Sequence, residues 1–189
     1  MWLGHAGFKI KFDYEGTERV VYIDPWIGNP KYPESLKNGD EAPMPTDADL
    51  VLITHGHWDH AQHADAIQKA STKSCKIACG YELGQFYIKN KGVAEEGVQG
   101  CGIGGTVDMG FCRATMVHAS HSSSCGFNEE GHAHYGGAAA GWILRLDNGI
   151  CIYHAGDTDV FSDMAIIDDL YRPRYLLLPI GGNFTMGPE

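Results

Sequence analysis

The sequence predicts a single domain of the α/β class that spans residues 1–189. Two features predict this class: strand-like apolar segments alternate with helix-like segments through the first half of the chain, and strand-like segments dominate the second half. The length supports one domain, because 189 residues can bury one substantial core but would leave two separate domains small.

The first half of the chain carries the alternation. Residues 8–12 alternate apolar side chains with lysine, which is typical of a half-buried strand, and Gly16 marks a turn before the apolar segment 20–23. Residues 29–47 are rich in proline, glycine and charge and predict a long surface loop. The remaining predictions for this half are a buried strand at 50–54, a helix at 61–70, a strand at 76–79 and a helix at 81–91 that Gly92 ends.

The second half is predicted to consist mostly of strands. Asp147-Asn148-Gly149 is a strong signal for a hairpin turn between two of them. The predicted elements are strands at 114–118, 142–146, 151–154 and 175–178 and a helix near 162–170.

Composition restricts the classes of function and partner. The chain has 14 Lys and Arg against 24 Asp and Glu, a formal net charge of −10, and no basic stripe, so we expect no nucleic-acid partner. No apolar stretch approaches the roughly 20 residues that span a bilayer, so we expect no membrane partner. The six cysteines show no disulfide spacing and no signal peptide follows Met1, which favours a cytoplasmic setting. Homo-oligomer formation stays open.

One segment concentrates residues that bind metals. Four candidate ligands follow the predicted strand at 50–54 within six positions: His55, His57, Asp59 and His60. Side chains two apart in an extended segment point to the same side, so His55 and His57 can bind one ion together. Asp59 and His60 then turn into a helix, where they can face a second ion, and Gly56 leaves space around the metal. Imidazole and carboxylate suit Zn²⁺ and also Mn²⁺ or Fe²⁺.

Two other interpretations of this segment are a histidine-rich surface loop and a closed structural metal site. A closed zinc site would more often use cysteine, and no cysteine lies near this segment in the sequence. A divalent metal centre that is open to substrate therefore remains the main prediction.

Several motifs resemble the metallo-β-lactamase superfamily. They are His-x-His-x-Asp-His at 55–60, Asp24-Pro25 at the end of an early strand, and His154-Ala155-Gly156-Asp157-Thr158. Further segments resemble its uncharacterised metal-dependent hydrolase branch, which is related to the ascorbate 6-phosphate lactonases. These are Trp2-Leu3-Gly4-His5-Ala6, His121-Ser122-Ser123, and the stretch from Leu178-Pro179-Ile180-Gly181-Gly182 to Thr185-Met186-Gly187-Pro188. The resemblance covers nearly the whole chain.

The resemblance implies a four-layer αββα sandwich, with the metals at the edge where the two sheets meet. It also implies a role for each ligand: one ion on His55, His57 and His121, a second on Asp59 and His60, and Asp157 as the bridge. Asp24 would orient a ligand through a hydrogen bond, as metal-bound histidines generally require. The family usually supplies a further histidine after Met-Gly-Pro, whereas this sequence stops at Glu189. Truncation at the C-terminus and a natural short form both stay open, and we expect one or two ions.

The remaining candidates near the site are weaker. His118 competes with His121 for a ligand role but falls in an apolar strand, and His63 is predicted on a helix surface. His5 and Asn183 are candidate pocket residues, and Cys125 is interpreted as a bystander thiol. Two further histidines, in a glycine-rich loop that could cover the site or simply face solvent, are His132 and His134.

The sequence thus predicts a metal-dependent hydrolase that acts on an ester, lactone or phosphoester of a small molecule. Metal-activated water would attack, and Asp59 would be the catalytic residue that orients it and relays its proton. One alternative is a nuclease-type member of the superfamily, against which the net charge argues. Others are a metal-binding or regulatory module without catalysis and a flavodiiron-type redox protein, which usually has Glu where this motif has His57.

Overall fold

Two five-stranded sheets form the framework of the computed structural model, which describes residues 1–189. The first sheet has the order β1-β2-β3-β4-β5, with an antiparallel β1–β2 hairpin and parallel pairing across the rest. Its strands are Phe8–Tyr14, Thr17–Ile23, Leu50–Leu52, Lys76–Gly80 and Val98–Cys101. Helices connect β3 to β4 and β4 to β5, whereas the segment between β2 and β3 contains only a 3-10 turn. These helices are α1 at Trp58–Ala61, α2 at Ala64–Ala70 and α3 at Tyr81–Lys91.

The second sheet comes from the other half of the chain and has the order β12-β11-β10-β7-β6. Its pairing is antiparallel except between β11 and β12, which helix α4 connects. The elements are β6 Thr106–Asp108, β7 Cys112–His118, β10 Ala140–Leu146, β11 Cys151–His154, α4 Met164–Tyr171 and β12 Tyr175–Leu177. A separate hairpin pairs β8, Ser124–Phe127, with β9, Ala133–Tyr135.

Side-chain alternation along the strands divides the core into layers. In β3, Leu50 and Leu52 join the cluster that the two sheets share, whereas Val51 packs with residues of α2 and α3 on the opposite face. In β10, Trp142 faces the shared cluster and Ile143 packs beside Ile167 of α4. Helices therefore cover the outer face of each sheet, in agreement with the arrangement that the family resemblance implies.

Most predicted elements are present, with shifted ends. The turn at 147–149 joins β10 to β11 as an antiparallel hairpin, and Gly92 ends α3 in the left-handed conformation. The segment 29–47 contains a single 3-10 turn, Glu34–Leu36, and otherwise no helix or extended strand. Sequence reasoning missed four short strands, β5, β6, β8 and β9, which show no apolar alternation. No helix has the combination of length and apolarity that crossing a bilayer requires.

The helix predicted at 61–70 is wrong in its continuity. It is divided into α1 and α2, and His63 lies at the break with φ −107° and ψ 1°. Nδ1 of His63 accepts a hydrogen bond of 3.0 Å from the Ile27 amide. The break therefore ties the loop after β2 to the helix pair, and His63 is half-buried rather than on an open helix surface.

Candidate metal centre

The first candidate ligands follow the end of strand β3. Beyond Leu52 the chain bends at Thr54 and is extended at His57, whose φ of −61° and ψ of 145° precede the first residue of α1. His55 and His57 consequently project to the same side, with 3.0 Å between Nε2 of His55 and Nδ1 of His57. The carbonyl oxygen of His57 then accepts hydrogen bonds from the amides of His60 and Ala61, which starts the helix.

His121 completes the first group of ligands. It follows β7 of the second sheet, and its ring centroid lies 5.1 Å from that of His55 and 5.2 Å from that of His57. The ligand atoms of the three imidazoles all lie within 4.8 Å of one another. Three residues from both sheets thus converge on one ion-sized position.

A second group adjoins the first. Asp157, which follows β11, has Oδ2 at 3.4 Å from Nε2 of His60 and at 3.9 Å from Nε2 of His121. Asp59 Oδ2 is 3.9 Å from His60 Nε2 and 3.3 Å from Nε2 of His5, so the N-terminal segment also reaches the site. Two overlapping groups result: His55, His60 and Asp157, and His5, Asp59 and His60. We call the six sequence-predicted ligands the metal cluster: His55, His57, Asp59, His60, His121 and Asp157.

The donor set fits a divalent cation. The ring of His60 is fully buried, and its Nε2 atom has no hydrogen-bond partner despite the nearby Asp157 oxygen. Buried polar atoms are rarely left unpaired, and an imidazole nitrogen that faces two carboxylates is suited to a cation between them. The residues present therefore fit one or two such ions.

Asp24 fixes the orientation of His60 from behind. Its buried carboxylate lies 2.8 Å from Nδ1 of His60 and accepts hydrogen bonds from the amide and the hydroxyl of Thr54, at 2.8 and 2.6 Å. Burial alone would raise the pKa of Asp24, but the charge of His60 and these hydrogen bonds more than offset it and keep the carboxyl ionised. Nδ1 of His60 is thus occupied, so only Nε2 faces the other candidate ligands, and it could bind a metal once it has lost its proton.

Burial also lowers the pKa of two histidines of the first group, His55 and His57. Loss of solvent, reinforced by the neighbouring His60 and His57, holds the pKa of His55 well below its usual range. The pKa of His57 is lowered as well, mainly by burial and by His121. Both imidazoles are therefore neutral near pH 7, the form that binds metals.

The turns that carry His121 and Asp157 are tied together by contacts that sequence reasoning missed. The hydroxyl of Thr158 accepts a 2.9 Å hydrogen bond from the Ser120 amide. His154 is buried, with Nε2 at 2.8 Å from the carbonyl oxygen of Ala6, and its Nδ1 accepts from the Gly156 amide. Their place in the His-Ala-Gly-Asp-Thr motif was the available signal, because motif residues that bind no metal often position the ones that do.

Gly56 has a different role from the predicted one. A Cβ atom at this position would lie 2.9 Å from the carbonyl oxygen of Ser124. The Gly56 amide also donates a 3.0 Å hydrogen bond to the hydroxyl of Ser123. The glycine thus makes room for the backbone of β8 rather than for the ion.

The weaker sequence candidates lie outside the cluster, with one exception. His118 packs its ring against Phe161, at 5.1 Å between centroids, and His132 is exposed beside Glu130. His134 lies in β9 against Phe86. Burial raises the pKa of the Cys125 thiol to about 11, so it stays protonated and a poor nucleophile. The exception is His5, which contacts Asp59.

A cavity of about 1080 Å³ opens above the cluster. Its floor includes His57, Asp59, His121 and Asp157, and Asn183 lies in its wall as the sequence suggested. This volume is at the upper end of the range for small-molecule sites. The cluster is therefore accessible to a substrate.

The comparisons with known proteins agree with this geometry. The family model of the beta-lactamase superfamily domain matches residues 1–189. The chain belongs to this superfamily. Among curated relatives, it is 44% identical to a UPF0173 metal-dependent hydrolase of Koribacter versatilis, over all of this chain and 74% of the relative. It is also 44% identical to a UPF0173 metal-dependent hydrolase of Methanoregula boonei, over all of this chain and 72% of that relative.

A solved structure extends the likeness of this beta-lactamase superfamily member to three dimensions. The metallo hydrolase Igni18 from Ignicoccus hospitalis matches with a TM-score of 0.74 and 31% sequence identity. The match covers 98% of this chain and 72% of that one. The fold class predicted from the sequence is thereby confirmed.

Proposed function

We propose that this protein is a hydrolase that uses one or two divalent cations to cleave an ester, lactone or phosphoester of a small molecule. The observation that carries the proposal is the convergence of six ligand residues, with one buried unpartnered imidazole nitrogen, at the floor of an open cavity. A bound divalent cation would lower the pKa of water towards neutrality and stabilise negative charge on the attacked group. The curated relatives named metal-dependent hydrolases support the same activity.

The ligand roles follow from position. His55, His57 and His121 would hold one ion, and Asp59 with His60 would hold the other, with Asp157 between the two. The mixture of imidazole with carboxylate fits Zn²⁺, with Mn²⁺ or Fe²⁺ as alternatives, and the absence of cysteine from the cluster argues against a closed structural zinc site.

Asp59 is the proposed catalytic residue. Its carboxylate lies in the cavity floor, where it would orient the attacking water and relay a proton to the leaving group. His5, 3.3 Å from Asp59 Oδ2, would act as a positioning residue that keeps this carboxylate turned towards the cavity.

Replacement of Asp59 by Asn tests this proposal. We expect kcat on a 4-nitrophenyl ester to fall about 10²- to 10⁴-fold, the usual contribution of proton transfer, with KM changed far less. Metal content per chain, measured by plasma mass spectrometry, shows whether the loss comes from metal release. Asp108→Asn, a matched change of a carboxylate that is 60% exposed on β6, should leave kcat unaltered. Unchanged turnover in Asp59→Asn would refute the assigned role.

The same protein preparation separates the alternatives. Bound metal without hydrolysis across a panel of esters, lactones and phosphoesters would indicate a metal-binding or regulatory module of the same fold. Cleavage of single-stranded RNA would indicate a nuclease, which the net charge of −10 disfavours.

All six cysteines are free, which supports the proposed reducing, cytoplasmic setting.

A further inference from the structure

The cavity above the metal cluster has an aromatic and aliphatic wall. Side chains from four separate segments of the chain contribute to it. We call the following residues the apolar wall: Trp2, Phe8, Trp58, Phe127, Ile180 and Phe184. The Trp2 indole nitrogen donates to the carbonyl oxygen of His5, which satisfies its polar atom while the ring lines the cavity.

These side chains are available to a ligand. Phe127 is 72% exposed and Trp58 is 59% exposed, although large aromatic side chains are usually buried in part. An exposed apolar patch of this kind, directly over a metal cluster, usually marks a ligand-binding surface.

Positive charge is absent from the wall. None of the 14 Lys and Arg residues lines the cavity. The two lysines that follow Phe8 in β1 are engaged elsewhere: Lys9 contacts Asp47 at 2.7 Å and Lys11 contacts Glu18 at 2.8 Å. The polar side chains of the wall away from the histidines and aspartates are neutral: Ser122, Ser124, Asn183 and Thr185.

A phosphate or carboxylate on the outer part of a substrate would lack a partner in this wall. Recognition of such groups normally uses Arg or Lys. Removing an anion from water without a partner is costly, and a net charge of −10 repels it further. An apolar group, by contrast, would gain by covering the exposed aromatic rings.

We infer that the substrate is an uncharged carboxylic ester or lactone that carries an apolar acyl chain or ring, and that the apolar wall selects this group. The inference rests on the proposed function, because the wall acts on whatever the cluster hydrolyses. Among the three substrate types proposed, it favours the carboxylic ester and the lactone, and it disfavours any substrate that carries an anionic group away from the scissile bond.

The first test compares 4-nitrophenyl esters that differ only in the acid, using the metal-loaded protein. From butanoate to octanoate, kcat/KM should rise at least about tenfold, since each fully buried methylene contributes up to about fourfold. The adipate monoester, which matches hexanoate in length but ends in a carboxylate, should react at least about tenfold more slowly than hexanoate. Faster cleavage of the adipate monoester, or of bis(4-nitrophenyl) phosphate, would overturn the inference.

The second test uses two aromatic residues of one hairpin. Phe127 lines the cavity, whereas Tyr135, on the paired strand β9 and 70% exposed, does not. Phe127→Ala should reduce the preference for octanoate over butanoate by about threefold or more, and Tyr135→Ala should preserve it. Equal preference in the wild type and both variants would contradict the assignment of the wall.

A binding measurement separates failure of this inference from failure of the proposed function. Trp2 and Trp58 lie in the wall, so their fluorescence should respond to 2-nonanone, an uncharged ligand that cannot be hydrolysed. Binding that weakens in Phe127→Ala but not in Tyr135→Ala would support the apolar site even if no ester were cleaved. If esters were hydrolysed without chain-length preference and all three proteins bound 2-nonanone equally, the inference about the apolar wall would be contradicted. The proposed hydrolase function would still stand.

Discussion

The floor and the wall of the cavity differ in how deeply their side chains are buried. Just beneath the floor, His55 and His60 are 1% and 0% exposed, and Nδ1 of each ring has a buried oxygen as partner: the Thr54 hydroxyl for His55 and the Asp24 carboxylate for His60. In the wall, Trp58 is 59% exposed and Phe184 is 82% exposed. The comparison suggests that chemistry, which needs fixed geometry, depends on the strand ends, whereas substrate preference depends on side chains that contribute little to folding.

The largest loss of activity should come from replacing Asp157 in the cavity floor. Asp157→Ala removes the carboxylate that lies between the two ligand groups, so we expect at least about a 10³-fold loss of activity, comparable to treatment of the wild type with a chelator. Metal content per chain should fall in the same variant. Asp159→Ala, two residues later and exposed, is the matched control and should keep both metal and activity. Wild-type metal content in Asp157→Ala would show that the carboxylate is no ligand.

A smaller loss of stability and metal affinity is expected at Asp24, which contacts His60 behind the metal cluster. Asp24→Asn weakens the buried contact with His60, so the metal-free protein should lose about 1–3 kcal/mol of unfolding free energy. Metal affinity should fall about 10- to 100-fold, because Asp24 orients the ring of His60. Denaturant unfolding and metal titration measure the two effects.

Asp47 offers the contrasting control for that variant. Its carboxylate, whose side chain is 38% exposed, accepts from Lys9 and from the hydroxyl of Tyr22, far from the cluster in the fold. Asp47→Asn should cost less than about 1 kcal/mol and leave metal affinity unchanged. If both variants bound metal alike, the orienting role of Asp24 would be excluded.

The smallest effect on stability should come from the wall. Phe184→Ala should change the free energy of unfolding by less than about 0.5 kcal/mol, because the ring is mostly in solvent. Its effect should instead appear as a higher KM for apolar esters at similar kcat. Leu170→Ala on α4, 66% exposed and outside the cavity, provides the comparison. A large loss of stability in Phe184→Ala would show that floor and wall are not separable in this way.

The sequence predicted the floor better than the wall for a physical reason. The ligands after β3 lie within six positions, and strand geometry alone sets His55 and His57 side by side. His121 and Asp157 could be assigned only through the family resemblance, because local patterns cannot show which distant turns meet. Among the wall residues, Trp2 and Phe184 lie in segments that the family resemblance marked without giving them a role, and Phe127 carried no signal, since an isolated aromatic residue is equally common in a core.

Some elements were also out of reach of sequence patterns. Strand β5 has the sequence Val-Gln-Gly-Cys, which shows no apolar alternation. Its strand conformation depends on pairing with β4, which its own residues do not predict. The break between α1 and α2 depends on the hydrogen bond from the Ile27 amide to His63, a contact between residues 36 apart.

By itself, the sequence determined the α/β class and the strand that delivers the first candidate ligands, because periodicity and residue type act over a few neighbouring positions. Only the tertiary structure decided that Asp24 orients His60, that His5 reaches Asp59, and that an uncharged aromatic wall surrounds the cluster. These contacts join residues tens of positions apart, and packing of the two sheets, rather than any local preference, brings them together.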